Sequence, residues 1–405
     1  MTGQRTTRSR ARRPQERVGR NTDLLLNAGE RILADGGWSE LTLAGVAKEA
    51  GLSRRTLHDR FAGPTAVAAA VWASRCGPAL EATLGSLVDS AGLSTGGVAS
   101  EQTFTNLLAG LVVPDPRLLA GAELLVMSQF EPELRRSVSR GLGRKVTGWC
   151  EPQPGPARRA DAAARAFVIA AALGLIFAGR RSGADKVDIS AEASALWEAI
   201  HARPDPAPLP RTRANHLDGP PPIATGDDTR DALLQAVLES VAAIGYEATT
   251  LATVAAAAGF TQGAIFSRYP SKLALFQDAT ETQQRASFQA NHDFMDRMAA
   301  RHGRGVAEAV TIREFQRPGR QHLRAILLEQ IRVMWHEPDL LAAHSADMDA
   351  AAKQPLEADP AIDARRAAGH FHFGYALGIG VPALAVLDPG CWVLPFDVVT
   401  VPLLG

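Results

Sequence analysis

Apolar residues recur along most of the chain at intervals of three and four, and strict two-residue alternation is scarce, so the pattern predicts an all-α protein. Near the start, Leu25, Ala28, Ile32 and Leu33 mark one helix, with Thr22 or Asp23 as its cap and Gly36-Gly37 as its end. Trp38 and Leu41 anchor the chain before Thr42 opens a second helix over Leu43 to Ala50, which Gly51 stops in a left-handed turn. Ser53 then caps a third, short helix from Arg54 to Phe61. Further on, helical stripes are expected over residues 66–87, 101–113, 117–130, 131–146, 158–179 and 190–201, separated by Gly, Pro or Asp breaks. Later come 273–300, 322–336, 339–352 and 362–381. The last segment, CWVLPFDVVTVPLLG, holds Pro395 and Pro402 and lacks a stripe, so it reads as a lost or rebuilt helix.

The same pattern occurs twice. Ala28 to Phe61 aligns without a gap on Ala236 to Tyr269, with Ala28, Gly37, Thr42, Leu43, Ala44, Val46, Ala47, Ala50, Gly51 and Arg60 repeated. Trp38 answers to Tyr246, Leu57 to Ile265 and Phe61 to Tyr269. Weaker echoes follow: Ala172-Leu173-Gly174 against Ala376-Leu377-Gly378, and Met127 with Glu131-Pro132 against Met334 with Glu337-Pro338. Between the copies, RPDPAPLPRTRANHLDGPPPIATGDD carries seven prolines, a composition that forbids regular helix and suits an extended linker. These boundaries divide the chain into an arginine-rich arm (1–20), a first head (21–68), a first helical body (69–202), the linker (203–228), a second head (229–276) and a second body (277–405).

Charge changes the picture at one end. The whole chain of 405 residues balances 43 Lys and Arg against 43 Asp and Glu. Its first 20 residues nevertheless hold seven arginines and one acid, Glu16, and up to Phe61 there are twelve basic and seven acidic residues. Such an end seeks a polyanion. It has the composition of an organellar transit peptide, but Pro14, Gly3 and Gly19 are expected to break the amphipathic helix that reading requires. Cys76, Cys150 and Cys391 stand far apart with no paired framework, which points to a reducing, cytoplasmic setting. The most apolar runs, 166–178 and 375–387, fall short of the roughly 20 residues a bilayer demands, so no membrane span is expected.

Two short helices joined by a tight glycine turn form a helix-turn-helix, whose second helix can enter a major groove. Ser53, Arg54, Arg55 and Thr56 at its start would reach base edges, arginine pairing bidentately with guanine. His58 and Arg60 suit phosphates, and the arm, with Arg10, Arg12 and Arg13, suits an adjacent minor groove or the backbone. SRRTLHDRF after LTLAGVAKEAGL, and TQGAIFSRYPSKLALF after TLATVAAAAGF, resemble the DNA-binding head of tetracycline-repressor (TetR) type regulators. The resemblance covers 21–72 and 229–279. It implies an all-helical body holding a small-molecule pocket, and two final helices that build a dimer's four-helix bundle.

By that resemblance Thr42 and Thr250 touch a phosphate at the start of the second helix, and His58 and Phe266 stand where a phosphate-binding tyrosine is usual. Lys272 matches a lysine that follows the recognition helix, whereas the first head has Pro64 there. In the second head the reading positions fall on Thr261, Gln262, Gly263, Phe266, Arg268 and Tyr269, so Arg54 and Arg55 are answered by Gln262 and Gly263. The expectation is a transcription regulator, a repressor released by a small lipophilic effector. Its unequal heads would form a pseudo-dimer within one chain on an asymmetric double-stranded operator, with further homodimerisation left open. The final helices of the first body would pack on 362–381 of the second.

Effector-lining candidates are Met127, Phe130, Phe167 and Phe177 in the first body and Met334, Trp335, Phe371 and Tyr375 in the second, residues that at helical spacing also suit a core. His370 and His372 lie two apart and point opposite ways on a helix, so with His336 and His344 they make no metal motif. No HExxH, GxSxG, Walker A or GxGxxG pattern stands in a supporting context, and Glu123, Glu192 and Asp347 form no pair that spacing establishes, so neither enzyme activity nor a cofactor is expected. The competing reading is a helical ligand-binding or scaffold protein whose heads no longer hold DNA.

Overall fold

The structure, a computed structural model, describes residues 5–152, 154–181, 183–202, 204, 208–212, 223–358 and 364–404. Every regular element among them is a helix. The first half comprises α1 (Arg5–Asp35), α2 (Gly37–Glu40), α3 (Leu43–Glu49), α4 (Arg54–His58), α5 (Pro64–Val71), α6 (Gly77–Ser90), α7 (Glu101–Gly110), α8 (Pro116–Met127), α9 (Pro132–Val138), α10 (Arg144–Cys150), α11 (Pro156–Ala178) and α12 (Ser190–Ala202). The second comprises α13 (Asp228–Ala248), α14 (Leu251–Ala258), α15 (Gln262–Phe266), α16 (Lys272–His302), α17 (Arg304–Gln316), α18 (Gln321–Trp335), α19 (Pro338–Ala358), α20 (Ala364–Leu387) and α21 (Asp397–Leu404).

Three expectations change. Residues of the arginine-rich arm continue α1 backwards to Arg5, so Pro14 and Gly19 do not interrupt the helix. A proline withdraws one donor from the ladder and a glycine costs about 1 kcal/mol, and both penalties are local. The predicted helix over 66–87 is α5 and α6 joined by a π turn at Trp72–Cys76, and that over 131–146 is α9 and α10 joined by another at Ser139–Gly143. Finally, the proline-bearing last segment is helical: α21 follows α20 as α12 follows α11, shortened to eight residues with Pro402 inside, and packs on α12 and α17. Thr400 Oγ1 donates to Gly305 O at 2.7 Å, closing that contact.

Why the two halves meet is visible in α11. From Ala166 to Ala178 it is apolar on all sides, as only a helix enclosed by protein can be, and that stretch is buried throughout. Its neighbour is α20 of the other half. The helices cross so closely that a Cβ on Gly174 would stand 1.8 Å from Ala376 O, and one on Gly380 would stand 1.7 Å from Ala170 O. The contact is reciprocal at a shift of 206 residues, which is the register of the bodies; the Ala-Leu-Gly echo aligns them two residues off. Beside the crossing, the rings of Phe177 and Trp335 meet with centroids 5.2 Å apart and planes tilted by 40°. α11 and α20 are long and apolar enough to cross a membrane by length and composition, yet here each buries the other. Cys76, Cys150 and Cys391 are buried free thiols, and burial pushes those of Cys76 and Cys150 up to about 12.

A polar group is enclosed near the same seam. His372 of α20 is fully buried, with Nδ1 3.4 Å from Arg181 of the first half, while His344 Nε2 meets the Tyr375 hydroxyl at 2.9 Å. Burial, helped by Arg181, pushes His372 down to about 4 from its ordinary 6.5. The unfolded chain then binds more protons than the native one between those values, so stability falls as pH drops through that window. Replacing the ring with leucine (His372→Leu) is expected to flatten the pH dependence of the urea midpoint there. Gly174→Ala is expected to cost about 1–3 kcal/mol by overpacking. Gly378→Ala, which meets nothing within 4 Å, is expected to be neutral or stabilising, and urea denaturation reads the difference.

Candidate nucleic-acid interface

The first reading helix is built by caps. Thr42 Oγ1 accepts from Gly45 N at 3.0 Å to start α3, and Ser53 Oγ accepts from Thr56 N at 3.2 Å to start α4. Gly51 joins them with φ 65°, a left-handed conformation that glycine enters without penalty. Leu57 points into the core, which turns Arg54, Arg55 and His58 of α4 outward into solvent. Thr56 is half-buried and bonds Ser53 through its hydroxyl, and Arg60 bonds Thr22 Oγ1 of α1. Arg10, Arg12 and Arg13 lie on the helical backbone of α1, and their side chains are outside the described residues.

The second head repeats this construction atom for atom in its caps. Thr250 Oγ1 accepts from Thr253 N at 3.1 Å, Thr261 Oγ1 accepts from Ala264 N at 3.4 Å, and Gly259 makes the turn at φ 75°. Its chemistry differs. Gln262, Gly263 and Phe266 are exposed on α15, with Phe266 58% accessible. Its cations are engaged within the protein: Arg230 pairs with Asp278, and Arg268 with Asp227 at 2.6 Å. Two expected DNA contacts turn inward. Tyr269 is buried and donates its hydroxyl to Asp278 at 2.6 Å. Lys272 Nζ donates to Tyr246 O at 2.7 Å and Thr249 O at 3.0 Å, and lies 4.0 Å from the Tyr246 ring centroid. Burial lowers its pKa. The lysine thus closes the bend in α13 that Gly245 makes at φ 80°.

Both heads rest on one buried ionic junction. After Gly37 (φ 73°), Trp38 N donates to Glu123 Oε1 of α8 at 2.7 Å; after Gly245, Tyr246 N donates to Glu329 Oε1 of α18 at 2.8 Å. Arg332 of α18 joins the two carboxylates, bonding Glu329 through Nε and Glu123 through Nη1 at 3.1 Å, while Nη2 reaches Glu247 at 3.1 Å. His336 Nε2 lies 3.1 Å from the other oxygen of Glu123. Burial alone would raise the Glu123 carboxyl, but Arg332, His336 and the Trp38 amide hold it below the ordinary carboxylate range. The packing is again reciprocal: Gly37 faces His336 and Gly245 faces Phe130, the glycines related by the 208 of the heads and Phe130 and His336 by the 206 of the bodies. Spacing could have flagged this centre, because that shift sets Glu123 against Glu329. Arg332 carried no signal, since its counterpart is Val126.

Most of the effector candidates serve the core. Met127, Phe167, Phe177 and Trp335 are core, and Met334, Phe371 and Tyr375 are half-buried. Phe130 lines a cleft of about 310 Å³ with Gln129, Ala242, Gln321, His322 and Ala325, between the second head and both bodies. Among the described residues no cluster of three or more metal-ligating side chains occurs.

The family model for bacterial regulatory proteins, tetR family, matches residues 25–71 and again residues 233–279. These spans carry both helix-turn-helix units just described. Among curated proteins none matches the chain with significant similarity. Lys272→Met is expected to destabilise the second head by about 1–3 kcal/mol, because the partly buried Thr249 carbonyl loses the lysine as donor and Tyr246 O keeps only Thr249 N, read by urea unfolding followed at the indole and phenol bands.

Proposed function

Since the chain belongs, through both of its heads, to the tetR family of bacterial regulatory proteins, we propose that it acts as a cytoplasmic, sequence-specific transcription repressor whose two unequal heads engage one asymmetric operator as a pseudo-dimer within a single chain. The observation that carries this is the pair of outward reading helices, α4 and α15, on bodies joined by the reciprocal crossing of α11 and α20. The division into arm, two heads, two bodies and linker belongs to the same reading.

The heads take different tasks. Arg54 and Arg55 read guanine, His58, Arg60 and Thr42 contact phosphates, and Arg10, Arg12 and Arg13 of the arm add phosphate or minor-groove contacts. In the second head Gln262 suits adenine and Phe266 a thymine methyl, with Gly263 admitting the backbone and Thr250 and Thr261 touching phosphate. The Arg268–Asp227 pair is exposed, and an exposed ion pair in water contributes little to stability, so a phosphate can take the arginine over. A small lipophilic effector releasing the operator completes the reading, with Phe130 as the candidate that lines a cleft.

Binding to the DNA flanking its own gene, titrated against salt, tests the proposal. Wild type is expected to show saturable binding with a log-log salt slope near −0.9 per phosphate neutralised, and Arg54→Ala with Arg55→Ala to lose sequence preference. Footprinting should reveal two unequal protected segments. Absence of saturable binding at low salt would sink the proposal.

A further inference from the structure

We infer that Arg332 is the positioning residue that sets the distance between the two reading helices, a role open to one arginine only because the two halves are one polypeptide. The inference rests on the two-headed reading above. Each head turns away from its first helix at a left-handed glycine, Gly37 or Gly245, and the next amide is bonded to a buried carboxylate. Those carboxylates, Glu123 and Glu329, belong to different halves, and the guanidinium of Arg332 bonds both while also reaching Glu247 of the second head. The arginine side chain is 1% exposed and the two carboxylates 0%, so water cannot substitute for it. A single planar fork therefore joins the pivots of both heads, a task for which a lysine's point charge has the wrong shape.

The pseudo-two-fold relation explains why the site is built this way. A shift of 206 residues carries Glu329 onto Glu123 but Arg332 onto Val126, which is fully buried. Two identical chains would bring two arginines to this centre, face to face and in the space one fills. Fusion lets the halves differ, so one cation serves a symmetric pair of acids. Without it three carboxylates share the junction, and their mutual repulsion pushes the pivots apart.

The test is a distance measurement on the full chain. Spin labels on cysteines introduced at Asn27 and Ala256, exposed positions in the two heads, would report head separation by pulsed electron resonance, the native cysteines being buried. Wild type is expected to give one narrow distribution, Arg332→Met a displaced and broadened one, and Arg332→Lys a folded protein with a distribution broadened to a lesser degree. On DNA carrying both half-sites, wild type should prefer one spacing. Arg332→Lys should lose that preference together with the gain from engaging both heads, on the order of 10²-fold in affinity. Narrow, unshifted distributions in both folded variants would overturn the inference, and so would unfolding of both, which would make Arg332 a folding residue only. Wild type that binds no DNA while Arg332→Lys still broadens the distance would remove the operator reading and leave the positioning role standing.

Discussion

The close crossing of α11 and α20 is the constraint on which the arrangement of the molecule depends. Side chains ordinarily hold helix axes 8–10 Å apart. Here glycines at 174 and 380 let backbone approach backbone, with the carbonyls of Ala376 and Ala170 occupying the space a Cβ would need. Because the contact is reciprocal, it defines a pseudo-two-fold relation, and everything placed on either helix inherits it. The facing pairs Gly37 with His336 and Gly245 with Phe130, and the shortened α21 against α12, follow that relation.

Buried where α8 meets α18, the ionic junction is costly. Taking charged groups out of water carries a penalty of several kcal/mol per ion, and a buried pair often does no better for stability than well-packed apolar residues of the same volume. What it supplies is direction. Hydrophobic packing would let either head pivot about its glycine, whereas an amide bonded to a carboxylate that is itself bonded to a fixed guanidinium has one geometry. The depressed pKa of Glu123 is the electrostatic counterpart of that arrangement.

The two heads have one construction and two chemistries. Caps and turns recur at the same register, since helix ends demand the same unsatisfied amides wherever they occur. The exposed faces have diverged: arginines and a histidine on α4, an amide, a glycine and a phenyl ring on α15. In the second head, Arg230 and Lys272 hold the head together, which leaves its surface far less attractive to phosphate than the first.

Much of this was legible in the sequence because it is local. Three-to-four spacing announced the helices, Thr42, Ser53, Thr250 and Thr261 announced their starts, Gly51 and Gly259 announced the turns, and the repeated head followed from comparing the chain with itself. Local pattern also misleads: Pro14 and Pro402 lie inside helices, and Tyr269 and Lys272, set against DNA by resemblance, turn inward. Which residues meet across more than 200 positions lies beyond periodicity. The register of α11 on α20 depended on where the absence of a side chain lets two backbones touch. The pairing of Glu123 with Arg332, 209 residues apart, depended on that register in turn. Local pattern determined what each segment is; only the packing of one half on the other decided which carboxylates share a cation, and so how the two heads are held.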